Sequence, residues 1–179
     1  MLLLVSRAEA ARPQIPACEV ELFRRVNGAS DGIRVPVRAI MQAGSFGTVP
    51  AVSVLALLFG RKRLAATLAV SGTIAWVGAK VVKPFGGRQR PQAILPVVKI
   101  REPIQGDLGW VSGHTAVATT IALVANDELP GSLRPILLGI VGTVAFGRMY
   151  VGAHLPHDVV GGAGLGMMIS AVIPPSDGG

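Results

Sequence analysis

From Leu64 to Ala79 the chain runs sixteen residues without a charge, and apolar residues continue to Val82 with only Lys80 between. As a helix, such a segment is long enough to cross a hydrocarbon core of roughly 30 Å. Four further apolar runs accompany it: Gln42–Gly60 (interrupted by Pro50), Ser112–Asn126, Pro135–Val151 and His157–Ile173. The pattern predicts an all-α integral membrane bundle of about five transmembrane helices. Composition agrees, since half of the 179 residues are hydrophobic, 15% are charged and mean hydropathy is +0.55. Aromatics are scarce while Gly and Ala abound, which suits helices whose backbones approach closely in lipid. Gly162 and Gly166 in the last run form a small-xxx-small face of that kind.

The length suits one domain. Residues 1–18 carry Pro and Ala without a strong period and are expected to be disordered; 19–173 form the membrane domain; 174–179, PPSDGG, form a polar tail. MLLLV is too short, and lacks a preceding basic residue, to be read as a signal peptide. Within Cys18–Gly28, Val20, Phe23 and Val26 recur among charges at helical spacing, which predicts an amphipathic helix at the membrane surface. Ile33–Ala43 reads as a second short helix with Arg34 and Arg38 on one side, and the single Cys18 excludes an intrachain disulfide.

A formal charge of +7 can signal nucleic acid, but no basic stripe is interleaved with aromatics. The cations instead sit at the ends of apolar runs, which points to anionic lipid or phosphate. Three polar islands stand out: KPFGGRQRP from Lys83, SGH from Ser112, and RMYVGAHLPHD from Arg148. Alternating crossings bring the ends of the second and fourth runs and the starts of the third and fifth to one face. All three islands therefore share that face. Arg61, Lys62, Arg63 and Arg134 fall on the other side, so the positive-inside rule places the islands extracytoplasmic.

Together the islands supply fixed cations, two histidines, a carboxylate and a hydroxyl at a helix start. Cations plus N–H groups at a helix N-terminus bind anions, and Ser112 is placed as the N-cap. His154 and Asp158 are four apart and share a helical face, with Pro156 in the first turn, where proline is tolerated. A carboxylate behind an imidazole fixes its tautomer, and a second histidine can move protons. Arg88 and His157 read as a solvated loop cation and an interfacial helix start. A metal site on His114, His154 and His157 is not expected, because no thiolate or dense carboxylate set supports it.

Lys83 with Arg90-Pro91 seven and eight residues on, Ser112-Gly113-His114, and Arg148 with His154 and Asp158 resemble the three signature motifs of the type 2 phosphatidic acid phosphatase superfamily. The resemblance extends over roughly 19–173 and includes the ELFRRVNG opening. It implies a metal-independent phosphatase, needing no cofactor, that acts on a lipid phosphate (polyprenyl diphosphate, phosphatidate or a relative) in a bilayer, in a bacterial plasma membrane. It also implies His154 as nucleophile of a phosphohistidine intermediate, Asp158 as its orienting carboxylate and His114 as acid and base. Lys83, Arg90, Arg148, Ser112 and the Gly113 N–H would hold the phosphoryl oxygens. Val111 stands where the family usually has Pro, and Gly147 where it usually has Ser. The missing hydroxyl predicts a loss of roughly ten- to a hundredfold in rate and leaves room for a larger head group. The alternatives are a catalytically weak lipid-phosphate-binding protein and a vanadate-dependent haloperoxidase, the latter requiring a soluble body.

Overall fold

The computed structural model describes residues 15–173, so the expected polar tail and most of the expected loose N-terminus lie outside the described residues. Helix α1 (Ala17–Asn27) buries Phe23 and half-buries Val20 and Val26, as its period predicts, but it also buries Glu19 and Asn27. Asn27 fastens the end of α1: its Nδ2 donates to the Tyr150 carbonyl at 3.0 Å, while its Oδ1 accepts from the Lys99 N–H at 2.8 Å. The polar groups of this helix therefore face protein as well as its apolar ones.

Helix α2 (Arg34–Met41) is flanked by 3-10 turns at Asp31–Ile33 and Gln42–Gly44, and buries Val37 and Met41. The run expected to cross the membrane from Gln42 to Gly60 is not one helix. The chain bends by 70° between the Asp31–Gly44 segment and α3 (Thr48–Leu58). At Gly44 the backbone lies against the carbonyl of His114, where a Cβ would overlap it. Eleven residues of α3 rise only about 16 Å, half of a hydrocarbon core.

Helix α4 (Lys62–Gly86) extends one turn beyond its predicted end and so carries Lys83 on a helix rather than in a loop. Gly87 stops it in the left-handed conformation (φ 56°), returning its N–H to the Lys83 carbonyl. After a short helix α5 (Pro91–Ile94) and an irregular loop come α6 (Gly113–Asn126), α7 (Arg134–Tyr150) and α8 (Pro156–Val172). Among the described residues a single bridge between Gln89 and Leu108 is the one extended pairing, so the architecture is all-helical.

α6 is the central helix. Its residues Thr115–Thr120 are all buried, as expected of a helix small or apolar all round. It packs against α4, α7 and α8. Gly162 and Gly166 of α8 press on the carbonyls of Ser112 and Ala116, with no space for side chains. The small-xxx-small face is thus a packing device. Val70, Ile74, Val77 and Val81 of α4 point outward with Ile136 and Leu138 of α7, forming an apolar exterior suited to lipid.

Two helical stretches, Lys62–Gly86 and Gly131–Tyr150, are long and apolar enough to cross a membrane, and a third counts if the bent pair is one span. α6 and α8, with 14 and 17 residues, are shorter, so length and composition do not yield the expected five crossings. The face-sharing expectation does emerge. The C-terminal ends of α4 and α7 and the N-terminal starts of α6 and the α7–α8 turn surround one cavity.

Candidate active site

The cavity has a volume of about 370 Å³ and is walled by Lys83, Arg90, Gly113, His114, Arg148 and His154, together with Arg38, Trp76, Lys80 and Glu102. Six of the eight residues anticipated from the motifs therefore meet in one place. Ser112 and Asp158 stand behind that wall. Ser112 is fully buried, and its hydroxyl accepts from the Thr115 N–H at 3.4 Å and the Thr115 hydroxyl at 3.0 Å. That is the predicted N-cap.

Two of the three cations are set by backbone carbonyls. Lys83 Nζ donates to Leu108, Gly109 and Val111 at 3.3, 3.2 and 2.9 Å, tying the end of α4 to the strand of chain entering α6. The Trp110–Val111 peptide is cis. Arg90 donates through Nε, Nη1 and Nη2 to Gly106, Ala153 and Gln105 at 2.7, 2.8 and 2.7 Å. Arg148 pairs through Nη1 with the Glu102 carboxylate, and its Nε is buried without a hydrogen-bond partner. Backbone dipoles fix two of these positive heads in place without neutralising them.

His154 lies in the turn between α7 and α8, where Gly152 (φ 84°) passes so close to the Lys99 carbonyl that a Cβ would overlap it. The His154 N–H donates to the Arg148 carbonyl at 3.2 Å. Its Nδ1 is 3.6 Å from Asp158 Oδ2, beyond a hydrogen bond, and has no other partner. Burial, and then the positive charge of Arg148, Arg90 and Lys83, holds the imidazole well below its ordinary pKa. It is therefore neutral.

Asp158 is fully buried at the first turn of α8. Its Oδ2 accepts from the Leu155 N–H at 2.8 Å, and its carbonyl accepts from the Ser112 N–H at 2.8 Å, joining the starts of α8 and α6. The expectation that Arg88 and His157 are bland is corrected here. Arg88 spans two buried carboxylates, Asp158 at 3.3 Å and Glu19 at 2.6 Å. His157 gives its N–H to Glu19 Oε1 at 3.0 Å, with its Nδ1 2.8 Å from Glu19 Oε2. Burial pushes Glu19 up, but the hydrogen bonds from Arg88 and His157 outweigh it and hold the carboxyl below its usual range.

Glu19, Glu102, Arg38 and Lys80 also escaped the motif reading. Arg88 lies within the Lys83–Arg90 spacing and Glu19 opens the ELFRRVNG stretch, but nothing in their spacing announces a contact seventy residues away. The room expected beside Gly147 is absent, because a Cβ there would meet the Met41 side chain at 3.2–3.3 Å. Among the described residues no three His, Cys, Asp or Glu side chains converge as a metal site.

The chain is 34% identical over 122 residues to an undecaprenyl-diphosphatase of Sulfolobus acidocaldarius, covering 66% of this chain and 58% of that protein. It is 33% identical over 113 residues to a decaprenylphosphoryl-5-phosphoribose phosphatase of Mycobacterium tuberculosis, covering 62% and 61% respectively. The match therefore spans about three fifths of either relative. The crystal structure of Aquifex aeolicus LpxE shares the fold with a TM-score of 0.80 at 27% identity, over 88% of this chain and 94% of that one. A transmembrane PAP2-type phosphatidylglycerolphosphate phosphatase from Bacillus subtilis superposes at 0.76 with 18% identity, over 96% and 90%, a likeness of fold alone. With a family model matching residues 49–176, which hold all three islands, this chain belongs to the PAP2 superfamily.

Proposed function

We propose that the chain is a metal-independent lipid phosphatase working through a phosphohistidine. The observation that carries this reading is a buried, neutral His154 in a cavity walled by Lys83, Arg90 and Arg148. Phosphoryl transfer needs positioning and charge stabilisation above all, and three fixed cations supply both. His154 Nε2 attacks the phosphorus while Nδ1 turns toward Asp158, whose carboxylate stabilises the imidazolium-like intermediate. His114 protonates the departing oxygen, then takes a proton from the water that releases phosphate. The Gly113 N–H adds a donor at the start of α6, where Ser112 shapes the turn.

The relatives named above are an undecaprenyl-diphosphatase and a decaprenylphosphoryl-5-phosphoribose phosphatase, which supports a lipid carrying a phosphate as substrate. The apolar exterior supports a chain embedded in a bilayer, on this reading a bacterial plasma membrane, crossed about five times if α6 and α8 span a locally thinned or tilted region. Arg61 and Arg134 mark the cytoplasmic side, leaving the cavity extracytoplasmic.

The test is phosphate release from polyprenyl diphosphate, phosphatidate and related lipids by detergent-purified protein with EDTA present. Turnover that His154→Ala abolishes, with a phosphohistidine trapped in the wild type, is expected. Tight ligand binding without release or a trapped intermediate would instead favour a lipid-phosphate-binding protein.

A further inference from the structure

Helix α1 carries none of the three motifs and precedes the residues that the family model matches. Its buried residues are Glu19, Phe23 and Asn27, spaced four apart, so they form one stripe about 12 Å long. That stripe follows the turn from Tyr150 to Asp158, which holds His154. At one end Asn27 Nδ2 donates to the Tyr150 carbonyl at 3.0 Å, and Arg101 Nη1 bridges the Asn27 and Tyr150 carbonyls at 2.8 and 2.6 Å. In the middle Phe23 shares an apolar cluster with Met149 and Leu155, the residues that follow Arg148 and His154. At the other end Glu19 accepts from the His157 N–H at 3.0 Å and from Arg88 Nη2 at 2.6 Å.

The Glu19 end bears on the chemistry. His157 is the second residue of α8, where a backbone N–H has no acceptor within its own helix. Glu19 supplies that acceptor from another helix, with the charge that suits a helix N-terminus. Asp158 is the next residue. Arg88 lies closer to Glu19, at 2.6 Å, than to Asp158, at 3.3 Å, so Glu19 takes the larger share of its charge. Asp158 meets Arg88 through Oδ1 and keeps Oδ2 for the Leu155 N–H and for His154 Nδ1, 3.6 Å away. Without the Glu19 charge, Arg88 would face Asp158 alone and draw its carboxylate off His154.

We infer that Glu19 is a positioning residue for the reaction, through which α1 sets how Asp158 faces His154. The inference rests on the phosphatase reading above. Glu19 does not line the cavity and acts through Arg88 and the first turn of α8. Its effect therefore falls on the chemical step, in which the imidazole gains positive charge that Asp158 must stabilise. Phosphate binding by Lys83, Arg90 and Arg148 is left as it was.

Steady-state kinetics on farnesyl diphosphate and dioleoyl phosphatidate in one detergent test this, on whichever lipid the wild type turns over. Glu19→Gln keeps the size of the side chain and an acceptor for the His157 N–H, but not the charge. Its kcat should fall about tenfold, while KM and the inhibition constant of orthovanadate stay within about twofold. Glu19→Asp keeps the charge on a shorter stem, should lose only about threefold, and serves as the test if Glu19→Gln does not fold. In an Arg88→Gln background, Glu19→Gln should change kcat by less than about twofold, because both residues act on one carboxylate. Thermal melts monitor the folding of each variant. A lowered melting temperature with kcat unchanged, a loss carried by KM, or multiplicative losses in the double variant would overturn the inference and leave a lipid phosphatase intact. A wild type that releases phosphate from neither lipid would instead remove the reading beneath it.

Discussion

Arg88 Nη1 lies 3.3 Å from Asp158 Oδ1, so a cation drawn from a polar loop is joined to the carboxylate that backs His154. The same guanidinium is 2.6 Å from Glu19, bringing helix α1 into the support of the site. Two carboxylates, each nearly inaccessible, share this one cation.

Arg88→Gln should therefore lower kcat more than it raises KM, since Arg88 acts through Asp158 and does not line the cavity. Removing the one cation that two buried carboxylates share should also cost stability on the order of 3 kcal/mol. Arg88→Lys should restore part of kcat. Steady-state kinetics with a thermal melt check this, and an unchanged kcat alongside a lowered melting temperature would make Arg88 purely structural.

The acid behaviour of the protein should carry the signature of His154. Its folded pKa is depressed by burial and three cations, while in the unfolded chain it titrates near the ordinary value of about 6.5. Below that pH the unfolded chain binds a proton that the folded site refuses. Stability contributed above about pH 6.5 is consequently lost as pH falls, by up to about 1.4 kcal/mol per pH unit. Melting temperature measured from pH 7.5 to 5 should fall more steeply in the wild type than in His154→Ala, and parallel curves would contradict this.

Glu102 pairs with Arg148 in the cavity wall. An incoming phosphate must displace that carboxylate and tolerates its charge poorly. Glu102→Gln should tighten inhibition by orthophosphate or vanadate by roughly three- to tenfold. It should also lower stability, since Arg148 then keeps a buried charge without its partner. Inhibition constants unchanged by the substitution would show that Glu102 moves away without cost.

Gly147→Ser restores a hydroxyl next to Arg148 but sets a Cβ 3.2–3.3 Å from the Met41 side chain. Met41 is fully buried, so it yields only by repacking. The single substitution should bring no gain in rate and a loss of about 1 kcal/mol. Combined with Met41→Ala, which removes the Cγ and Sδ that the new Cβ meets, it should gain rate. Additive effects of the two changes would mean that the residues are uncoupled.

Read alone, the sequence determined that the chain is a helical membrane bundle and that Lys83, Arg90, His114, Arg148 and His154 share a site. Long uncharged runs and polar islands at their ends carry that information locally, and alternation of crossings does the rest. Tertiary structure alone decided where the first run breaks. The break at Gly44 is set by contact with the His114 carbonyl, a residue seventy positions away. It likewise decided that Ser112 and Asp158 stand behind the cavity wall, that Glu102 answers Arg148, and that Glu19 and Arg88 stand behind Asp158. Charge pairing across a fold depends on which helix ends meet, and composition and periodicity record only what each helix does by itself.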